Sequence, residues 1–236
     1  MKYLIILFFV VTYSVGSGQG FITAVEQDNL GVLFGNQCTV TLASGEELSG
    51  KLSGGSIING YLNSVTIKSE DGEKSKFKPE DVTRLSIKAS KLAKLSMAAE
   101  STTSIKEMTN TNFDEIINRE FIIFETAMRS NKGGKLRLMQ LLNPGFDSVI
   151  KVFADPNAKE TAGIGIGGVQ LTGGADKSYL FVENDEKAVL VKKKSYKKNF
   201  DELYSGCSKM VQAFDGEKLK WDDVAGHVFV YDQICK

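Results

Sequence analysis

The chain has 236 residues, 42% hydrophobic and 25% charged, with 29 basic side chains matched by 29 acidic ones. That composition suits a folded protein of one large or two small domains and excludes global disorder. The balanced charge provides no general attraction to nucleic acid, which is not expected as a partner.

Residues 1–18 read as a cleaved signal peptide. Lys2 supplies the positive start, "YLIILFFVVTYSV" the apolar run, and Gly16 and Gly18 the small residues for cleavage between Gly18 and Gln19. The run is shorter than the roughly 20 apolar residues of a membrane-spanning helix. No cysteine lies near the cleavage point, so a lipoprotein anchor is not expected. The mature chain is expected to be secreted or periplasmic, with no membrane span after cleavage.

Residues 19–88 are expected to form a small β-barrel domain. Glycine shapes the turns: the chain has 23 glycines and three prolines. "CTVTLASGEELSGKL" reads as a hairpin about "SGEE", with Val40 and Leu42 on one face. "SVTIKSEDGEKSKF" reads as a second about "EDGE", with Val65 and Ile67 alternating. "VTRLSI" adds a strand after Pro79. Five short strands in this space close most economically as a curved barrel. The segment 36–88 resembles small SH3-like barrels, a likeness that carries no activity.

Residues 89–112 are rich in Ser, Thr, Lys and Ala and read as a linker, part-helical over "KLAKLSMAAE" with Leu92 and Leu95 on one face. Residues 113–236 are expected to form an antiparallel meander packed by C-terminal helices. "NFDEIIN" suits one helical turn capped by Asn112. "NPGF" places Pro144 and Gly145 at the central positions of a type II turn. "SYKKNFDELYSG" reads as a helix capped by Ser195, with Tyr196, Phe200, Leu203 and Tyr204 inward and Gly206 as its stop. "WDDVAGHVFVYDQIC" places Val224, Val228, Tyr231 and Cys235 at helical spacing. The fold class is therefore mainly β, with an α+β C-terminal part.

Several stretches taken together carry a wider resemblance: the leader ending before Gln19, "LLNPGFDSVIKVFADP", "SYLFVE", "KKKSYKKNFDELYSGC" and "HVFVYDQIC". With them the mature chain resembles uncharacterised exported β-rich proteins of Bacteroidota-type bacteria, although Cys38 departs from the pattern. The resemblance implies an export route and a fold type, and it transfers no functional residue.

An oxidising compartment favours disulfides. Cys207 and Cys235 bracket the C-terminal helical segment and are the expected pair, leaving Cys38 as a buried strand residue. "GIGIGG", Gly163 to Gly168, satisfies the dinucleotide spacing G-x-G-x-x-G. That motif needs a strand before it and a helix N-terminus after it. Here a polar stretch precedes and a strand-like stretch follows, so a glycine-rich β loop is expected and no cofactor. His227 stands alone, four residues after Asp223. Zinc sites take three or four protein ligands, so no metal site is expected.

"KKKSYKK" is the one dense basic run. Lys192, Lys193, Lys194, Lys197 and Lys198 are a candidate anion-binding patch, weighed against a solvated face. No catalytic residue is singled out. The expected function is a non-catalytic envelope or partner-binding protein, its partner an envelope protein or glycan. The alternatives are a carboxylate-dependent hydrolase with an interdomain cleft, or an anionic-ligand-binding module using Lys192–Lys198.

Overall fold

The computed structural model describes residues 20–102, 111–128, 134–158, 160–161, 165–166, 169–170, 174–175, 178–184 and 186–236. The expected leader, residues 1–18, and its expected cleavage point lie outside them.

The first hairpin joins β1 (Gln37–Leu42) to β2 (Glu47–Ile58) through a turn in which Gly45 adopts φ +88°. Alternation sends Cys38 and Val40 inward. β2 is long because it turns a corner: residues 47–51 pair with β1, and residues 51–58 pair with β3 (Tyr61–Lys68). Asn59 and Gly60, both at positive φ, make the tight connection to β3. β4 (Lys74–Phe77) folds back on β3 through the Gly72 turn, and β5 (Val82–Lys88) pairs with β1.

The barrel takes strands from both sides of the segment assigned as a linker. α1 (Lys91–Glu100) and α2 (Phe113–Asn118) lead to β6 (Phe121–Met128), which pairs with β5. β7 (Leu136–Gln140) pairs with β6. The six-strand circuit β2-β1-β5-β6-β7-β3 closes on itself, with β4 attached to the outer edge of β3. The seam between β3 and β7 is a single residue pair, Leu62↔Leu138. The edge of β5 away from β1 is paired by β6, which carries the circuit on to β7.

Ser90 caps α1 by accepting from the Ala93 N–H, and Asn112 caps α2 by accepting from the Glu115 N–H. α1 presents Ala93 and Met97 to the barrel core, whereas Leu92 and Leu95 are 60% and 66% exposed. The expected leucine face is the outward one.

β8 (Ile150–Ala154), β13 (Ser178–Glu183) and β14 (Val189–Lys192) form a second antiparallel sheet, joined to the end of the barrel by a bridge between Leu141 and Phe153. Glu125 on β6 ties the two sheets by accepting from Arg84 at 2.8 Å and pairing with Lys151 at 3.1 Å. Short pairings extend the β8–β13 hairpin outward: β9 (Glu160–Thr161) with β12 (Gly174–Ala175), and β10 (Gly165–Ile166) with β11 (Val169–Gln170). Within "GIGIGG", Gly165 and Ile166 are strand. Gly163, Ile164, Gly167 and Gly168 lie outside the described residues.

Two local readings change. Phe146 N–H closes a turn onto the Asn143 carbonyl at 3.0 Å, but Gly145 does not adopt positive φ, so the turn is not type II. The expected helix from Ser195 is two short pieces, α3 (Lys193–Tyr196) and α4 (Phe200–Leu203). Lysines spaced four apart, 193 with 197 and 194 with 198, oppose a continuous helix there. The inward residues Tyr196, Phe200 and Tyr204 are nevertheless buried. α5 (Ser208–Ala213) and α6 (Val224–Ile234) complete the layer, where Met210, Val224, Val228 and Tyr231 share one core with Ile150, Val152 and Phe181 of the second sheet.

Candidate functional site

A concavity of about 390 Å³ lies at the mouth of the barrel, beside the β3–β7 seam. Residues 20–26 cross it as an extended strap. Three hydrogen bonds fix the strap: Ile22 N–H donates to the Leu142 carbonyl at 2.9 Å, Val25 N–H to Gln140 Oε1 at 2.9 Å, and Arg119 Nη1 to the Thr23 carbonyl at 2.5 Å. Arg119 is itself buried and held by Glu115 on the preceding turn, through Nε to Oε1 at 2.7 Å and a second, shorter contact from Nη2.

Gln140 occupies an inward position of β7, on the same face as Leu138. It lines the cavity and is 4% exposed. Its Oε1 accepts from Val25, which fixes the amide orientation because Nε2 cannot accept. Nε2 is left as a buried side-chain donor with no acceptor among the described residues. Such a group costs about 1–3 kcal/mol, and native proteins keep few of them.

The other polar groups at the mouth are engaged. Asp155 Oδ2 accepts from Ser178 Oγ at 2.7 Å, and its Oδ1 from the Asn157 N–H at 3.1 Å. Glu100 accepts from Asn29 at 2.7 Å. Glu26 and Glu115 also line the cavity, and no Lys, Arg or His does so among the described residues.

A smaller cavity of about 240 Å³ lies between β13–β14 and α3–α4, bordered by Glu183, Glu186, Lys187 and Glu202. Glu183 accepts a hydrogen bond of 2.5 Å from Tyr231 Oη. Beside it, His227 is buried against Tyr196, Phe200 and Phe214, with Nδ1 2.7 Å from Tyr196 Oη, which in turn meets Tyr204 Oη at 3.1 Å. Among the described residues, no cluster of three or more His, Cys, Asp or Glu is placed to hold a metal ion.

Burial pushes the His227 pKa down to about 4, against a smaller opposing pull from Asp223. The unfolded chain, with its histidine near 6.5, therefore binds more protons between those values, and stability must fall as pH drops through that window. The shift corresponds to about 3 kcal/mol at most. In wild type, chemical-denaturation stability is expected to decline between pH 6.5 and 4. His227→Phe should remove that part of the decline; an unchanged slope would contradict the assignment.

Cys207 and Cys235 are joined, with Cα atoms 5.9 Å apart. Cys38 is a buried free thiol whose pKa burial raises to about 11, so it behaves as a small apolar residue. Lys192, Lys193, Lys194, Lys197 and Lys198 are all exposed, on or beside α3, away from the residues that line the barrel mouth. Neither Gln140 nor Arg119 is singled out by sequence. The available signal is "LRLMQLL", where a glutamine takes the place of a leucine on an inward strand face.

Comparison with protein-family models, with curated proteins and with solved structures found no match. Among the described residues, no helix is long and apolar enough to cross a membrane.

Proposed function

We propose that the chain is an exported, non-catalytic binding protein whose barrel mouth receives a small ligand or a group of its partner. The observation that carries this reading is the 390 Å³ cavity, walled by a strap that three hydrogen bonds pin in place. Barrel mouths are a common place for such sites. The carboxylates that reach the cavity are bound to protein donors: Glu115 to Arg119, Asp155 to Ser178 and Asn157, Glu100 to Asn29. That arrangement supports binding ahead of a carboxylate-dependent hydrolase. Export, to the periplasm or beyond, rests on the leader read from residues 1–18 and on the resemblance to exported proteins of Bacteroidota-type bacteria.

The test is a thermal melt of the mature chain with the low-molecular-weight fraction of an envelope extract from its native source. A ligand at 100 times its Kd stabilises by about 2.7 kcal/mol, which gives a measurable rise in melting temperature. The rise is expected in wild type and not in Ala158→Trp, which fills the cavity from one wall. A wild-type melt that stays in place, or a rise that Ala158→Trp retains, would sink the proposal.

A further inference from the structure

We infer that the cavity between β13–β14 and α3–α4 is a second binding site, separate from the barrel mouth, and that it takes one neutral polyhydroxylated ring of sugar size.

Size sets the first limit. The cavity holds about 240 Å³, below the roughly 300 Å³ at which sites for drug-sized ligands begin. Its buried floor is apolar, built from Ile150, Phe181 and Val191. Glu186, Lys187 and Glu202 on its border are exposed, so the rim opens to solvent.

Hydrogen-bonding capacity sets the second limit. Among the described residues, the side chains of Glu186, Lys187, Asn199 and Glu202 have no hydrogen-bond or ion-pair partner. Glu183 uses one oxygen, Oε1, to accept from Tyr231 Oη at 2.5 Å, and this bond steadies the carboxylate at the cavity's edge. The pair lies against Gly206, where a Cβ would come within 2.8 Å of both oxygens.

Asn199 gives the strongest indication. It stands at the N-cap position of α4, where an asparagine oxygen ordinarily accepts from the backbone of the first turn. Here the side chain makes no cap hydrogen bond and borders the cavity instead. An amide both donates and accepts, an ionised carboxylate only accepts, and an ammonium only donates. The lining contains all three kinds. A ligand ammonium could not accept from Lys187 or from Asn199 Nδ2. A ligand carboxylate could not donate to Glu183, Glu186 or Glu202. A hydroxyl does both, so a ring bearing several hydroxyls answers the whole rim while its C–H face packs on the apolar floor.

The experiment titrates the mature chain with three sets of one ring size: methyl glycosides of neutral hexoses, amino sugars and uronic acids. Binding is followed by two-dimensional ¹H–¹⁵N NMR. Neutral glycosides should dominate, shift the Asn199 side-chain amide pair, and leave the Gln140 amide pair in place. Asn199→Ala should weaken them about tenfold, the worth of one hydrogen bond. Ala158→Trp, at the barrel mouth, should leave their binding unchanged. The wild-type shifts carry the test if either variant fails to fold. Amino sugars or uronic acids prevailing at Asn199 would overturn the ligand chemistry. Neutral glycosides that leave the Asn199 amide unmoved, or that shift the barrel mouth instead, would overturn the site. A chain that binds no ring from any set would overturn both.

Discussion

Gly55→Ala is expected to destabilise the barrel by about 1–3 kcal/mol, the range for overpacking against atoms that cannot give way, while Gly54→Ala changes little. A Cβ at Gly55 would lie 2.5 Å from the Ser64 carbonyl oxygen, and at Gly50 it would lie 2.4 Å from the Lys68 carbonyl oxygen. Both contacts are with backbone of β3, which cannot rotate away. A Cβ at Gly54 meets nothing within 4 Å. The difference follows from the corner in β2, where the register shifts between Leu52 and Gly54 as the strand leaves β1 for β3. Glycine at such a corner lets two backbones approach closely enough to close the circuit. Urea midpoints of the three alanine variants decide the matter. Equal midpoints for the Gly54 and Gly55 variants would mean that the close approach does not govern closure. Gly50→Ala should resemble Gly55→Ala, because it presses on the same strand from the other side of the bend.

The strands around that corner were legible in the sequence because their signals are local. Val40, Val65 and Ile67 alternate with polar residues, and Gly45 and Gly72 mark turns that the backbone adopts at positive φ. The Asn59–Gly60 connection is equally local, with both residues at positive φ. Closure was not legible. It depends on Leu85 meeting Phe124 and on Leu62 meeting Leu138, pairs separated by long stretches of chain. A five-strand barrel satisfies the same local pattern as the first part of a six-strand one. Only the unpaired edge of β5 distinguishes them, and an edge has no residue signature of its own. Composition marks residues 89–112 as polar and part-helical, the signature of a linker. It does not record that both flanking strands, β5 and β6, pair with each other across it.

The site was less legible than the fold, for a related reason. Gln140 matters because of what it fails to meet, and a missing acceptor is a property of the packed interior. Arg119 reads as one more basic residue until Glu115 and the Thr23 carbonyl are seen to fix it. The lysines of α3 and the single histidine attract notice because their residue types carry chemistry. Their environments explain them otherwise: the lysines face solvent, and His227 is packed among aromatic rings.

Reduction of Cys207–Cys235 is expected to cost the C-terminal layer about 3.6 kcal/mol, the chain-entropy value for a loop of 28 residues. The loop contains the whole of α5 and α6, whose Met210, Val228 and Tyr231 complete the core over the second sheet. Without the bond, those helices depend on that core and on the contact of Asp232 with Ser148 and Lys236. The loss should therefore be regional. Melts of the Cys207→Ala/Cys235→Ala variant should show a lowered midpoint, and hydrogen exchange should rise in α5 and α6 before it rises in β1, β5 or β6. Cys38 provides the internal control. Its thiol is buried in the barrel with its pKa raised, so alkylation under native conditions should leave it unmodified in the wild type and the variant alike. Rapid alkylation of Cys38 in the variant would show that the bond supports the barrel too, and that the two sheets unfold as one unit. The Glu125 contacts with Arg84 and Lys151 are the connection through which such coupling would run.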